Sequence, residues 1–173
     1  PKNKTIAELG LSTSYFTSFF PIDETGIYPE PLLKPLSRLH MDSLISKGLL
    51  VAPIYKNSSL LKISAINSPD FGDQDAEVLL KAMEHIVDLD IGQTQVTDSI
   101  FEILQQLKNL TVLKLNKTFI SGSEIKKLTT LKYLKQINLV HSNFDANYLK
   151  DLYSFPALEK VYLFGTPLNT SDI

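Results

Sequence analysis

One period constrains this chain more than any other feature. Segments beginning at Ile86, Leu110, Leu134 and Leu158 follow one another at a constant step, since 110−86, 134−110 and 158−134 are equal, with no insertion. They read IVDLDIGQTQVTDSIFEILQQLKN, LTVLKLNKTFISGSEIKKLTTLKY, LKQINLVHSNFDANYLKDLYSFPA and LEKVYLFGTPLN. Self-similarity at such a period marks supersecondary units that cannot bury an apolar face alone and do so by stacking.

The apolar positions recur in columns. Ile86, Leu110, Leu134 and Leu158 open the units. Leu89, Leu113, Ile137 and Val161 come next, followed by Ile91, Leu115, Leu139 and Leu163. A hydroxyl column follows at Thr94, Thr118, Ser142 and Thr166, and then an apolar one at Val96, Ile120, Phe144 and Leu168. The first part of each unit alternates with period two, which predicts a strand. The second part changes to helical spacing, as in Ile100, Ile103, Leu104 and Leu107, then Ile125, Leu128 and Leu131. Asp98, Ser121 or Ser123, and Asp145 stand where helix N-caps are expected. The hydroxyls are expected to hydrogen-bond, along the stack, backbone groups that the inward turn would leave unpaired.

This order of columns resembles the leucine-rich repeat, L-x-x-L-x-L-x-x-(N/C/T)-x-L. The expected fold is therefore α/β: a ribonuclease-inhibitor-like horseshoe, a short right-handed solenoid with a parallel sheet. A degenerate unit precedes the regular ones. Leu60, Ile63 and Ala65 fit its strand, Phe71 its turn, and Leu79, Leu80 and Met83 its helix, with about two extra residues supplied by the loop SPDFGDQD. A further strand is read still earlier, in LLVAP. Residues 59–173 are thus expected to form the array and residues 1–58 its N-terminal helical or irregular cap, since an end unit needs its apolar face covered. Within that cap the cluster YFTSFF is expected to pack by its aromatics. Leu39, Leu44 and Ile45 suggest an amphipathic helix capped by Ser37 and stopped by Gly48.

In such a horseshoe the strands line the concave face, where partners usually bind. Side chains between the buried columns point there. The candidate binding residues are Asp88, Asp90, Lys114, Asn116, Gln136, Asn138, Lys160, Tyr162 and Phe164, with Gly92, Val112 and Val140 between them. Asp90, Lys114, Asn138 and Tyr162 are expected to form one row. The face grades from acidic at Asp88 and Asp90 to aromatic at Tyr162 and Phe164, and aromatics on a polar face are candidate hot spots. Asp88, Asp90 and Lys114 otherwise read as a solvated cross-strand charge set. The last strand ends without a helix, so its edge is expected to allow weak homodimerisation.

Composition closes off several other classes. Net charge is −2, from 17 Lys and Arg against 19 Asp and Glu, so no basic field attracts nucleic acid. Cysteine is absent, which removes disulfides, thiol nucleophiles and c-type haem attachment. No apolar run approaches the ~20 residues of a membrane span. Opening on Pro1 without a signal peptide suggests a processed or excised piece. His40, His85 and His141 have no metal-ligand spacing, and Asp70, Asp73, Asp75 and Glu77 lack the glycine and terminal Glu of a calcium loop. They read as the negatively charged start of a helix. Phosphate-loop, dinucleotide and nucleophile-elbow motifs are missing, so no cofactor, metal or catalytic residue is expected. Five N-x-[ST] triplets begin at Asn3, Asn57, Asn109, Asn116 and Asn169. They matter only in a glycosylating pathway.

The segments GLLVAPIYKNSSLLKISA, HIVDLDIGQTQVTD, LTVLKLNKTFISG, LKQINLVHSNF and LEKVYLFGTPL also resemble a particular bacterial group. These are envelope proteins of Bacteroidetes and planctomycetes that join membrane helices, a c-type cytochrome domain and a C-terminal leucine-rich-repeat region. Thr94, Val96, Thr97 and Asp98, then Thr118, Ile120, Ser121 and Gly122, match the group's turn, whereas Ser142 and Pro167 depart from it. The resemblance implies a periplasmic or other extracytoplasmic setting and no haem in this segment. The expected function is non-catalytic binding of protein or glycan, or scaffolding of neighbouring domains. A spacer within a membrane-bound cytochrome protein is the alternative, and a glycan-active enzyme using Asp88 and Asp90 is a more distant one.

Overall fold

The computed structural model describes residues 28–29 and 31–168. The YFTSFF cluster, Asn3, and residues Asn169 to Ile173 lie outside them. Six strands form one sheet in chain order. They are β1 (Leu50–Pro53), β2 (Leu61–Ser64), β3 (Ile86–Asp90), β4 (Val112–Lys114), β5 (Gln136–Asn138) and β6 (Lys160–Tyr162). β1 runs antiparallel to β2, and every later pair is parallel. The expected α/β class with a parallel sheet is therefore present, with one antiparallel strand at its start. The sheet crosses the boundary expected at residue 58.

The period in the sequence is the register of the sheet. Asp88 stands opposite Val112, Val112 opposite Gln136 and Gln136 opposite Lys160, each exactly one period further along the chain. Between β2 and β3 the offset is longer by two positions (Lys62 opposite Asp88), after a register shift at Leu61. The long loop absorbs the difference. Leu89, Leu113 and Ile137 alternate inward and are fully buried, as are Ile91, Leu115 and Leu139. One apolar core runs without interruption from Leu44 to Phe155. Leu158, Val161, Leu163 and Leu168 of the last unit are only partly buried.

Behind the sheet the segments are mainly 3-10 helix, not the α-helix that the spacing suggested. They are Asp73–Ala82, Asp98–Ile100 continuing as the short α-helix Phe101–Leu104, Ile125–Thr130 and Ala146–Ser154. Each packs on the next. The buried triads explain the difference. Ala76, Leu79 and Ala82, then Phe101, Leu104 and Leu107, then Ile125, Leu128 and Leu131 are spaced three apart and all buried. Three residues per turn brings such positions onto one line, and the longer rise spans the unit with fewer residues. In the degenerate unit this leaves Met83 exposed and Leu80 only half-buried, so Ala76, Val78, Leu79 and Ala82 make the core there instead.

The caps are also partly different. Asp145 caps its helix by accepting from the Asn147 N–H, as expected. Thr97 caps the helix at 98. Asp98 reaches forward to the next unit, where it accepts from the N–H groups of Ser121 and Gly122 and from the hydroxyls of Ser121 and Ser123. Asp73 does the same one unit earlier, accepting from the N–H and hydroxyl of Thr97.

Each inward turn passes through a left-handed residue. Gln93, Lys117, His141 and Gly165 have φ of 60°, 55°, 55° and 71°, one per unit at the same period as the strands. The hydroxyl column follows them directly. Thr94, Thr118, Ser142 and Thr166 donate to the carbonyls of Ile91, Leu115, Leu139 and Leu163 at 2.6–2.7 Å. The expected bonds along the stack are therefore bonds within each turn, and the backbone makes the inter-unit ones, such as Gln93 N–H to Asn116 O at 2.8 Å. A left-handed conformation costs a non-glycine residue about 1–2 kcal/mol. Lys117→Gly is therefore expected to hold or raise stability, by up to about 1 kcal/mol after the added unfolded-state entropy. Chemical denaturation showing a loss above that size counts against this turn.

At the start of the sheet, α1 (Arg38–Ser46) is capped by Ser37, which accepts from the His40 N–H, and is followed by Gly48 at φ 76°. Only Leu44 of its expected apolar stripe is buried; Leu39 is 74% exposed and Ile45 is exposed too. Polar contacts complete its docking. Lys47 pairs with Asp75 at 2.8 Å, and Lys81 donates to the Ser43 hydroxyl. The hydrogen bond from Lys47, and then one from the Gly72 N–H, hold the Asp75 carboxyl below its ordinary pKa of 3.8.

Candidate functional site

Alternation puts two rows of side chains on the strand face opposite the core. The first is Lys62, Asp88, Val112, Gln136 and Lys160, and the second is Ser64, Asp90, Lys114, Asn138 and Tyr162. The second contains the row expected from the sequence. A third continues past the strand ends through Gly92, Asn116, Val140 and Phe164. Its register is held by the Gln93, Lys117 and His141 N–H groups donating to the carbonyls of Asn116, Val140 and Phe164. The structure thus assembles all nine candidate residues on one surface.

They differ in how free they are. Asp90 accepts from the Gly92 N–H at 3.2 Å and meets Lys114 at 3.4 Å. Asn138 likewise accepts from the Val140 N–H, so both side chains brace their own strand ends. Asn116 lies over Gly92, where an added Cβ would come within 2.5 Å of its amide oxygen. The glycine is what lets that side chain lie down. Tyr162 and Phe164 are 44% and 77% exposed. Phe164 meets the His141 ring edge-to-face at 5.4 Å between centroids, and His141 itself is exposed.

Asp88 departs from the solvated charge expected of it. It is 6% exposed, and its Oδ2 pairs with Lys62 Nζ at 3.2 Å. Lys62 lies across the irregular β2–β3 step, so the regular period misplaces it; adding the two loop positions brings it opposite Asp88. Lys135 and Glu159 also reach this region and pair at 3.4 Å, although sequence reasoning left both out. Their separation by one full period, just ahead of Gln136 and Lys160, was the available signal. With Tyr28, Val112 and Gln136, these groups line a recess of about 290 Å³.

Two members of the acidic run at 70–77 serve structure. Asp73 and Asp75 occupy the first turn of their helix, and both carboxylates accept hydrogen bonds from the protein. Among the described residues no group of three or more histidines or carboxylates is placed to hold a metal ion. No helix among them is long and apolar enough to cross a membrane. Compared with known proteins, the chain matches no family model and no curated protein.

Proposed function

We propose that this chain is an extracytoplasmic leucine-rich-repeat domain, a short right-handed solenoid whose strand face binds a protein or glycan partner or positions neighbouring domains, without catalysis. The supporting observation is the strand face itself. Parallel strands repeat at one register and expose aligned charged, amide and aromatic side chains, while the apolar columns face the core. A broad, graded surface of this kind suits recognition. The carboxylates of the face are each tied to a lysine, an arrangement that favours a fixed electrostatic pattern over acid–base chemistry. The envelope setting rests on the sequence resemblance to bacterial envelope proteins. Weak self-association along the outer edge of β6 belongs to the same reading.

Affinity capture from a bacterial envelope extract, followed by mass spectrometry, tests it. A specific partner is expected on the parent chain and at least a tenfold smaller yield on Tyr162→Ala and Phe164→Ala, since exposed aromatic anchors dominate such interfaces. Equal capture by parent and variants moves the binding surface elsewhere. Capture of nothing favours a spacer.

A further inference from the structure

The lead-in of the chain comes to its cap by way of the strand face. Leu36 packs against the core, and the Leu33 carbonyl accepts from the Ser59 hydroxyl at 3.1 Å, so this stretch is pinned beside the start of β2. A few residues earlier, Tyr28 is half-buried and lines the recess together with side chains from β2 to β6, Lys62 and Lys160 among them. The chain ahead of Tyr28 therefore sets out from the strand face. Its sequence there is FFPIDETGI, two aromatics followed by two acids. β6 carries the complement in the reverse order. Lys160 comes first, exposed and without an ion pair among the described residues, and the exposed Tyr162 and Phe164 follow. The spacings match as well, since 24 − 20 for Phe20 and Glu24 equals 164 − 160 for Lys160 and Phe164.

We propose that residues 19–28 lie back across the strand face as an occupant supplied by the chain itself, antiparallel to β6, with Glu24 at Lys160 and Phe20 against Phe164. The reach is sufficient. Extended chain from Tyr28 back to Glu24 covers about 13 Å, and the strand spacings from β3 to β6 add up to about 14 Å. The four-carbon lysine stem supplies the remainder. An exposed ion pair and an aromatic contact are each weak. A short tether offsets this, because it holds the segment beside the face at an effective concentration of about millimolar. The occupancy does not depend on the existence of a partner. Where a partner does bind these rows, the segment is its competitor and has to be displaced first.

The chain has no cysteine, so Ser18→Cys gives a single attachment point for a nitroxide spin label. Backbone amide signals of the whole chain, isotopically labelled, are compared with the nitroxide oxidised and reduced. The Val140, Tyr162 and Phe164 signals are expected to lose at least half of their intensity in the oxidised state. Those of Leu39 and Met83, which lie off the strand face, are expected to keep theirs. Glu24→Lys and Phe20→Ala are each expected to restore at least half of the lost intensity. A mixture of spin-labelled chain without isotopes and isotope-labelled chain without the cysteine is expected to show no loss, because the contact lies within one chain. Strand-face signals that stay unchanged, loss centred on Leu39 and Met83, loss unaltered by either substitution, or loss in the mixture overturns the proposal. If it falls in any of these ways while a partner is still captured through Tyr162 and Phe164, the binding-module reading stands.

Discussion

Replacing Leu115 with alanine is expected to lower the unfolding free energy by about 2–5 kcal/mol, the usual range for deleting a fully buried leucine. Leu163→Ala, in the same column of the last unit, is expected to cost about half of that or less, because removing partly exposed methyl groups sacrifices less transfer energy and leaves no closed cavity. The contrast follows from position in the sheet. Leu115 has a neighbouring unit on both sides and is fully buried, whereas Leu163 is only partly buried among the described residues. Urea denaturation, with the slope compared across variants, measures both. Equal losses would sink the idea that burial fades toward the last strand.

Asp98→Ala is the second large effect, expected at about 2–3 kcal/mol, the scale of hydrogen bonds made to a charged group. One carboxylate accepts from two N–H groups and two hydroxyls of the following unit. Without it, the half-buried turn at Ser121 and Gly122 loses its acceptor. The turn is confined as well. Gly122 has φ 92°, and an added Cβ would come within 2.5 Å of the Phe144 ring. Asp98→Asn keeps one acceptor oxygen and is expected to lose roughly half as much. A double-mutant cycle with Ser121→Ala isolates the inter-unit part, since contacting residues depart from additivity. A coupling near zero would show that Asp98 acts only within its own helix.

The strands and their register were legible in the sequence because both depend on near-neighbour pattern. Period-two alternation located β3 to β5, and the constant step between units set which residues stand side by side. The rows of the candidate surface follow from those two facts. What was not legible has several causes. Gln93, Lys117 and His141 are left-handed, yet none is a usual turn residue; only Gly165 in that column announces the conformation. The 3-10 geometry was hidden because Ile125, Leu128 and Leu131 also suit one face of an α-helix. The role of Asp98 was hidden because its partners lie in the next unit, far along the chain. Burial of Asp88 depends on groups from several strands, and its partner Lys62 sits across the irregular step. Leu39 and Ile45 show the reverse error, an apolar pattern that the described core does not take up.

The uniform register also has a kinetic consequence. From Lys62 onward, joining any two paired strands closes a loop of a single period, lengthened by two positions only at the β2–β3 step. Closure entropy grows only with the logarithm of loop length, so these steps face nearly equal entropic barriers. No distant pairing has to be found before the near ones gain energy, a burden that slows folds rich in non-local contacts. The chain can begin to order at whichever unit closes first and add the others in turn.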